Sequence, residues 1–396
     1  MKQSKHNIYY SPKEVRTILE RSIDTALDGL KGYCNDPVSD FTRCRKLPAR
    51  TLIECIMSFS NYSSIGELSH FFAGQGEMPS ASALSQRRQL LDPDIFKRIN
   101  NLFVSAFDDH TTINGYHILA QDGSDVNIPF MDDKTKTEKH DAKSFCQYHV
   151  NALYDCLNKV FYDWSIDAAS KKREVNALIS ILKDRNYPQN SIFTADRGYE
   201  SYNLMAHFIE NDTKFVIRVK DIHTKSGLMT NIKTEEGAFD MRINRTLTSL
   251  QTKEIKADKE KYIFVPSTSN FDFLDETRDF YDLSFRAVRF KISEDTYETV
   301  VTNLSEKEFK TDDFKELYHY RWNEETAFNK LKYTIGLVYF HARKRKLIQQ
   351  EINAAFLMYN VSEVIIRNID MKENKKLELE YDYKPNFSSA VTNIRL

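Results

Sequence analysis

A chain of 396 residues, 41% hydrophobic and 29% charged, has the composition of a globular protein with a sizeable core and room for more than one module. No apolar run approaches the ~18 residues that cross a bilayer, and the polar start carries no apolar signal segment, so we expect a cytoplasmic protein with no membrane partner. Five cysteines (Cys34, Cys44, Cys55, Cys146, Cys156) without a Cys-x-x-Cys pair, and scattered histidines without a His-Glu-x-x-His pair, argue against a disulfide frame and against thiolate or imidazole metal chemistry. The net charge of −1 speaks against a uniformly basic protein, yet basic residues cluster at Arg43, Arg45, Lys46 and Arg50, at Arg87-Arg88, at Lys171-Lys172-Arg173, and from His341 to Lys346. Local positive faces can bind phosphate even when the total is neutral; each run also reads, more plainly, as a solvated helix face.

Residues 1–112 read as a helical N-terminal domain. Ser11, Pro12 and Glu14 form an N-cap, a first-turn proline and a capping-box acid, and Val15, Ile18, Leu19 and Ile23 follow at helical spacing. Pro48 and Pro93 mark further starts, and Ile95, Ile99, Leu102, Phe103 and Phe107 form one stripe. From about 113 to 220 the texture changes to short apolar and β-branched runs: 116–120, 148–154 and 160–166, then a helix, a strand at 191–195, a helix near 202–209 and a strand at 214–219. That is an α/β pattern with at least one parallel crossover. Residues 221–304 predict strands without long helices, a β-rich insertion. Residues 305–368 turn helical again, and 369–396 read as a charged, loosely attached tail. The helix around Leu347, Ile348, Ile352, Phe356, Tyr359 and Val364 fits either subunit pairing or packing on its own domain.

The densest chemistry lies in Tyr318-His319-Tyr320-Arg321-Trp322-Asn323-Glu324-Glu325 and on to Lys332. On one helix, with Tyr318 as zero, Arg321, Glu325 and Lys332 fall at about 300°, 340° and 320°, a stripe about 60° wide beside an apolar face at about 220–280°. A carboxylate on such a rim can hold a hard divalent cation while Arg and Lys grip phosphate oxygens. The plainer reading is a surface helix with salt bridges. Asp122, in Asp122-Gly123-Ser124, and Asp196, in Asp196-Arg197-Gly198-Tyr199, each follow an expected strand with a glycine close behind, where ligands gather in open α/β sheets and where turn aspartates also occur.

The spacing Tyr318-x2-Arg321-x3-Glu325-x6-Lys332 resembles the Tyr-Arg-Glu-Lys signature of bacterial insertion-sequence DDE transposases, the branch called insertion-sequence family four. The two aspartate motifs resemble that family's first and second, and the likeness covers about 115–337. The resemblance implies a ribonuclease-H-like catalytic domain interrupted by a β-rich insertion, with helical segments before and after it. It implies Asp122, Asp196 and Glu325 as catalytic ligands of two Mg²⁺ ions, for which Mn²⁺ can substitute, and Tyr318, Arg321 and Lys332 on phosphates near the transposon end. It further implies cut-and-paste transposition on double-stranded DNA (terminal inverted repeats and target), a homodimer in the synaptic complex, a nucleoid-associated location when DNA-bound, and no small-molecule cofactor. Arg87 and Arg88, or the 43–50 cluster, would meet phosphates from the N-terminal helices. Cut-and-paste members stack an aromatic on a flipped base. The insertion has no tryptophan, since only Trp164 and Trp322 occur, and Tyr297 is the substitute by position. A nuclease that does not join strands, and a non-catalytic DNA-binding derivative, are the competing readings.

Overall fold

The computed structural model describes every residue except 5–7, 44, 75, 109, 138–142, 170–173, 225, 295, 375–384 and 396. Helix α1 (Pro12–Asp28) starts at the expected capping box: Ser11 Oγ accepts the Glu14 N–H at 3.3 Å and Glu14 Oε2 accepts the Ser11 N–H at 2.8 Å. Helices α2 (Ala49–Met57), α3 (Ser64–Phe71), α4 (Ala81–Leu90) and α5 (Asp94–Val104) follow, with Pro48 and Pro93 heading α2 and α5. The α5 stripe of Ile95, Phe96, Ile99 and Phe103 is fully buried against α1 and the long C-terminal helix α11 (Arg345–Asn374). Asn360 on α11 donates to Asn100 of α5 (2.6 Å) and to the Phe161 carbonyl (2.8 Å), joining both helices to the sheet.

Ten strands form one sheet: β3 (His117–Ile128), β4 (Lys136–Thr137), β5 (Phe145–Asp155), β6 (Val160–Ala168), β7 (Ser191–Ala195), β8 (Lys214–Val219), β9 (Phe239–Thr248), β10 (Tyr262–Phe264), β11 (Phe280–Ser293) and β12 (Thr296–Thr302). The short strands β1 (Gln3–Ser4) and β2 (Thr112–Ile113) pair separately. At the centre the order is β6-β5-β3-β7-β8, antiparallel from β6 to β3 and parallel from β3 to β8. Helices α6 (Glu174–Asp184) and α7 (Tyr202–Glu210) connect β6 to β7 and β7 to β8. This is the ribonuclease-H-like arrangement expected above.

The insertion extends that same sheet. β12 pairs antiparallel with β8 (Thr299 opposite Val219), and β11, β9 and β10 follow outward, with the short helix α8 (Lys253–Ala257) between β9 and β10. The reason is visible in β8, whose Phe215, Val216 and Ile217 are all fully buried; an open edge there would present unpaired, apolar backbone to water. One face of the sheet carries α6 and α7. The other carries the N-terminal helices together with α9 (Asp313–His319), α10 (Trp322–Lys330) and α11.

One expectation changes, and of the two readings of α11 its packing on its own chain is the one seen. The supposed tail contains α12 (Phe387–Arg395), whose Val391 is buried and whose Phe387 ring lies 5.8 Å from that of Tyr359; apolar residues beyond Pro385 give it a face to bury. The α11 positions Ile348, Ile352, Phe356, Tyr359 and Val364 are buried within their own chain. Among the described residues no helix is long and apolar enough to cross a membrane, and Cys34, Cys55, Cys146 and Cys156 are free thiols; Cys44 lies outside them.

The joint between the N-terminal helices and α11 is also ionic. Arg88 is buried and donates to Glu351 and to the Leu347 carbonyl, both at 2.7 Å. His341 stands between Glu67 (3.1 Å) and Glu351 (3.3 Å). Burial opposes its charge, but the hydrogen bonds to Glu351 and Glu67 prevail and hold the imidazole at about 9. A folded pKa above the unfolded ~6.5 stabilises fully below pH ~6.5 and loses that stabilisation as pH rises through about 9. Urea unfolding at pH 6 and pH 9.5 should therefore differ by about 2 kcal/mol more in wild type than in His341→Phe.

Candidate active site

Strand β3 is paired with β7 only from His117 to Ala120, but with β5 from Leu119 to Ile128. Beyond Ala120 one side of β3 is open, and Asp122 lies at this notch with Oδ1 accepting the Gly123 N–H at 2.8 Å. Asp122 is thus inside a strand and not at its carboxyl end, as the sequence had suggested. Asp196 does end its strand: it caps the 3₁₀ turn Arg197–Tyr199, accepting the Gly198 N–H at 2.7 Å. Burial pushes the Asp122 carboxyl up; the Gly123 N–H and Arg321 oppose this, while Asp196 and Glu174 add to it.

Gly123 does not serve a turn either. It is paired with Asn151 in β3–β5, and a Cβ there would fall 2.3 Å from His149 Nε2. The glycine makes room for the imidazole of the neighbouring strand. Gly123→Ala is expected to cost about 2 kcal/mol through overpacking, and His149→Ala in the same chain should recover most of that loss, as a double-mutant cycle of thermal unfolding would show.

The expected single helix is three pieces: α9, α10 and a π-helical turn at Leu331–Ile335, with a break near Tyr320-Arg321. Arg321 is buried, donates to Glu325 Oε1 at 2.9 Å, and lies 3.8 Å from Asp122 Oδ2. Its guanidinium sits between the rings of Trp322 (5.1 Å) and Tyr318 (5.7 Å). So Arg321 links the first aspartate to the glutamate. Tyr318 is buried, and burial raises its phenol. Lys332 is half-buried on the π turn; burial lowers its ammonium while the Asp125 charge acts in the other direction.

The other expected contacts fall elsewhere. Arg88 is committed to α11 and cannot reach a phosphate. Arg87 donates to the Leu47 carbonyl (3.1 Å) and lies 4.2 Å over the Phe41 ring, holding the N-terminal helices together. Tyr297 is within β12, 4.2 Å under the guanidinium of Arg289, which pairs with Asp221. Its neighbour Glu298 points to the other side of the strand and meets Arg218 at 3.2 Å, so alternation turns Tyr297 away from the α9–α10 face. In the run from His341 to Lys346, His341 is enclosed, Arg345 pairs with Asp133, and Lys346 donates to Asn35 and the Gln89 carbonyl. Lys171-Lys172-Arg173 lies outside the described residues.

Four further residues belong to the site. Glu324 is fully buried; burial, followed by the Asp122 charge, pushes its carboxyl well up, while Arg321 and the Asp122 backbone N–H act in the other direction. It falls at about 240° on the helical projection, among the apolar docking positions, and a carboxylate there was a legible signal. Asp125, His149 and Glu174 stand behind Gly123, and no motif pointed to them. Among the described residues no three His, Cys, Asp or Glu side chains close around one point that would hold an ion. The donor set nevertheless suits a hard cation: Asp122 and Asp196 are oxygen donors near enough for one to disfavour the charge of the other.

A family model for the transposase DDE domain matches residues 113–361. Among solved structures, the chain is similar to a piggyBac transposase in a synaptic complex with hairpin DNA, at 11% identity and a TM-score of 0.49, over 100% of this chain and 82% of that one. No curated protein matches it significantly.

Proposed function

The chain belongs to the transposase DDE domain family, and from that premise we propose that it cuts DNA at transposon ends and joins them to target DNA with Asp122, Asp196 and Glu325. The observation that supports this reading is that Asp122 on β3 feels the charge of Asp196 at the end of β7 and lies 3.8 Å from Arg321, which is itself bonded to Glu325 on α10.

Asp122, Asp196 and Glu325 would hold the divalent cations. When bound, two Mg²⁺ supply activation of the attacking oxygen and stabilisation of the leaving 3′-oxygen. Arg321, buried and bonded to Glu325, would set the relation of Asp122 to Glu325 with the buried Tyr318 packed beside it, which leaves the half-buried Lys332 to meet a phosphate of the scissile strand. Both DNA ends must be held together for joining, so the synaptic complex is a homodimer on double-stranded DNA. The test is a labelled duplex bearing the element's own ends, with Mg²⁺ or Mn²⁺, wild type against Asp122→Ala, Asp196→Ala and Glu325→Ala. Metal-dependent cleavage and joining by wild type alone, with DNA binding retained in all four, is the expected result. Cleavage without joining would establish a nuclease instead.

A further inference from the structure

We propose that Asn323 and Lys330 are positioning residues for Glu325, tying the two ends of α10 to one support made of the end of β5 and the helix α11; this rests on the reading of Glu325 as catalytic above. α10 is only 9 residues long, and a helix that short takes its place from what it packs against. Its apolar anchor is the buried Phe328, whose ring lies 5.7 Å from that of Phe161. The polar ties stand on either side of Glu325. Asn323, just before it, donates to the Cys156 carbonyl at 3.1 Å. Lys330, at the other end of the helix, donates to Glu363 Oε1 of α11 at 2.6 Å.

The Lys330 tie is built from the inside outward. The Glu363 side chain is 1% exposed and that of Lys330 31%, so the carboxylate is enclosed and the ammonium reaches it from the rim. Tyr359 Oη donates to Glu363 Oε1 at 3.3 Å and lies 3.2 Å from Tyr154 Oη, and both tyrosines are buried. Tyr154 stands opposite Ala120 in the β3–β5 ladder, and by alternation Asp122 shares the face of Ala120. Contacts thus run unbroken from the strand beside β3, through Tyr154, Tyr359 and Glu363, to the helix that carries Glu325. Cys156, which receives Asn323, follows Tyr154 closely along the chain. Both ties therefore refer Glu325 to the ladder that places Asp122. An enclosed carboxylate needs its cation at one point, which a solvated surface pair does not.

Helix α12 closes the pair from outside. The Phe387 ring lies 4.5 Å from Lys330 Nζ and 5.8 Å from the Tyr359 ring, so an aromatic face covers the ammonium. The C-terminal helix, remote in sequence from the three acids, is thereby part of the support of Glu325.

The experiment is single-turnover cleavage of the labelled end duplex by the full chain across a Mg²⁺ series, with end binding and thermal unfolding measured on every variant. Lys330→Met and Glu363→Gln are each expected to slow cleavage about tenfold and to raise the Mg²⁺ concentration for half-maximal rate, with end binding unchanged, because a small displacement of a reacting group is costly. Asn323→Ala should shift both in the same direction, and Phe387→Ala should do so more weakly. Lys330→Arg, which keeps the cation, should recover most of the rate. Glu363 is enclosed and meets no DNA, so its variant separates positioning from a phosphate contact. Weakened end binding in Lys330→Met beside a wild-type Glu363→Gln would assign Lys330 to the DNA and overturn the proposal. A lowered melting temperature with wild-type rate and Mg²⁺ requirement would show a merely structural role and overturn it as well. Asn323→Ala and Phe387→Ala, both nearer the surface, carry the same readouts if Glu363→Gln does not fold. If Glu325→Gln abolishes cleavage but these variants cut as wild type, this proposal fails alone. If Glu325→Gln itself cuts as wild type, the underlying reading fails.

Discussion

Asp122→Asn is expected to lower DNA cleavage by at least about 10³-fold while the metal-free protein becomes no less stable. The two readouts separate because the charge on Asp122 is unfavourable to the fold. Burial comes first among the causes that raise its pKa, and Asp196 and Glu174 contribute. For an acid whose folded pKa exceeds its unfolded value, the ionised form destabilises the native state above that pKa, and the penalty is relieved as pH falls. Asparagine keeps the shape, removes the charge and cannot act as an anionic ligand. Cleavage kinetics and thermal unfolding of the same preparations check the pair. A variant that cuts like wild type would remove Asp122 from the chemistry, and one that melts much lower would show that its carboxylate supports the strand.

Arg321→Leu should have the second large effect, and here stability and activity fall together. The guanidinium is buried, bonded to Glu325, near Asp122, and close to the fully buried Glu324. Removing it leaves three carboxylates without their shared cation. Breaking a wholly buried pair costs about 3–5 kcal/mol; because Glu325 and Asp122 are partly open to solvent, about 2 kcal/mol is the expected loss. Cleavage should fall about 10²-fold or more, since Glu325 would lose its fixed orientation. Arg321→Lys should recover stability better than activity, because an ammonium does not reproduce the planar fork that spans Glu325 and Asp122. Equal recovery of both would mean that charge alone matters at this position.

The two aspartate motifs show how far local sequence carries. At Asp196 the strand, the acid and the following turn are contiguous, and the turn is closed by the aspartate's own bond to Gly198, so the expectation and the structure coincide. At Asp122 the same acid-glycine pattern has a different cause. β3 continues to Ile128 because β5 pairs with it, and Gly123 answers to His149 on that partner strand. Two cations of the basic runs are spent within the fold for a similar reason: Arg88 meets Glu351, and Arg345 meets Asp133, both far away in sequence. Charge clusters show where cations are, and only packing shows which of them are already paired.

By itself the sequence determined the α/β character of the chain, the cap of α1 and most strands of the core, and its acid motifs suggested the DDE transposase family that the family model matches. These depend on periodicity and on contacts within a few residues, and both are written along the chain. Only the tertiary structure decided that the insertion completes the central sheet, that Arg321 bridges Asp122 and Glu325, that Glu324 lies beside Asp122, and that His149 and Glu174 lie against Gly123. Those relations join segments far apart in sequence. Strand pairing and burial set them, through the requirement that an apolar edge be covered and a buried charge be matched.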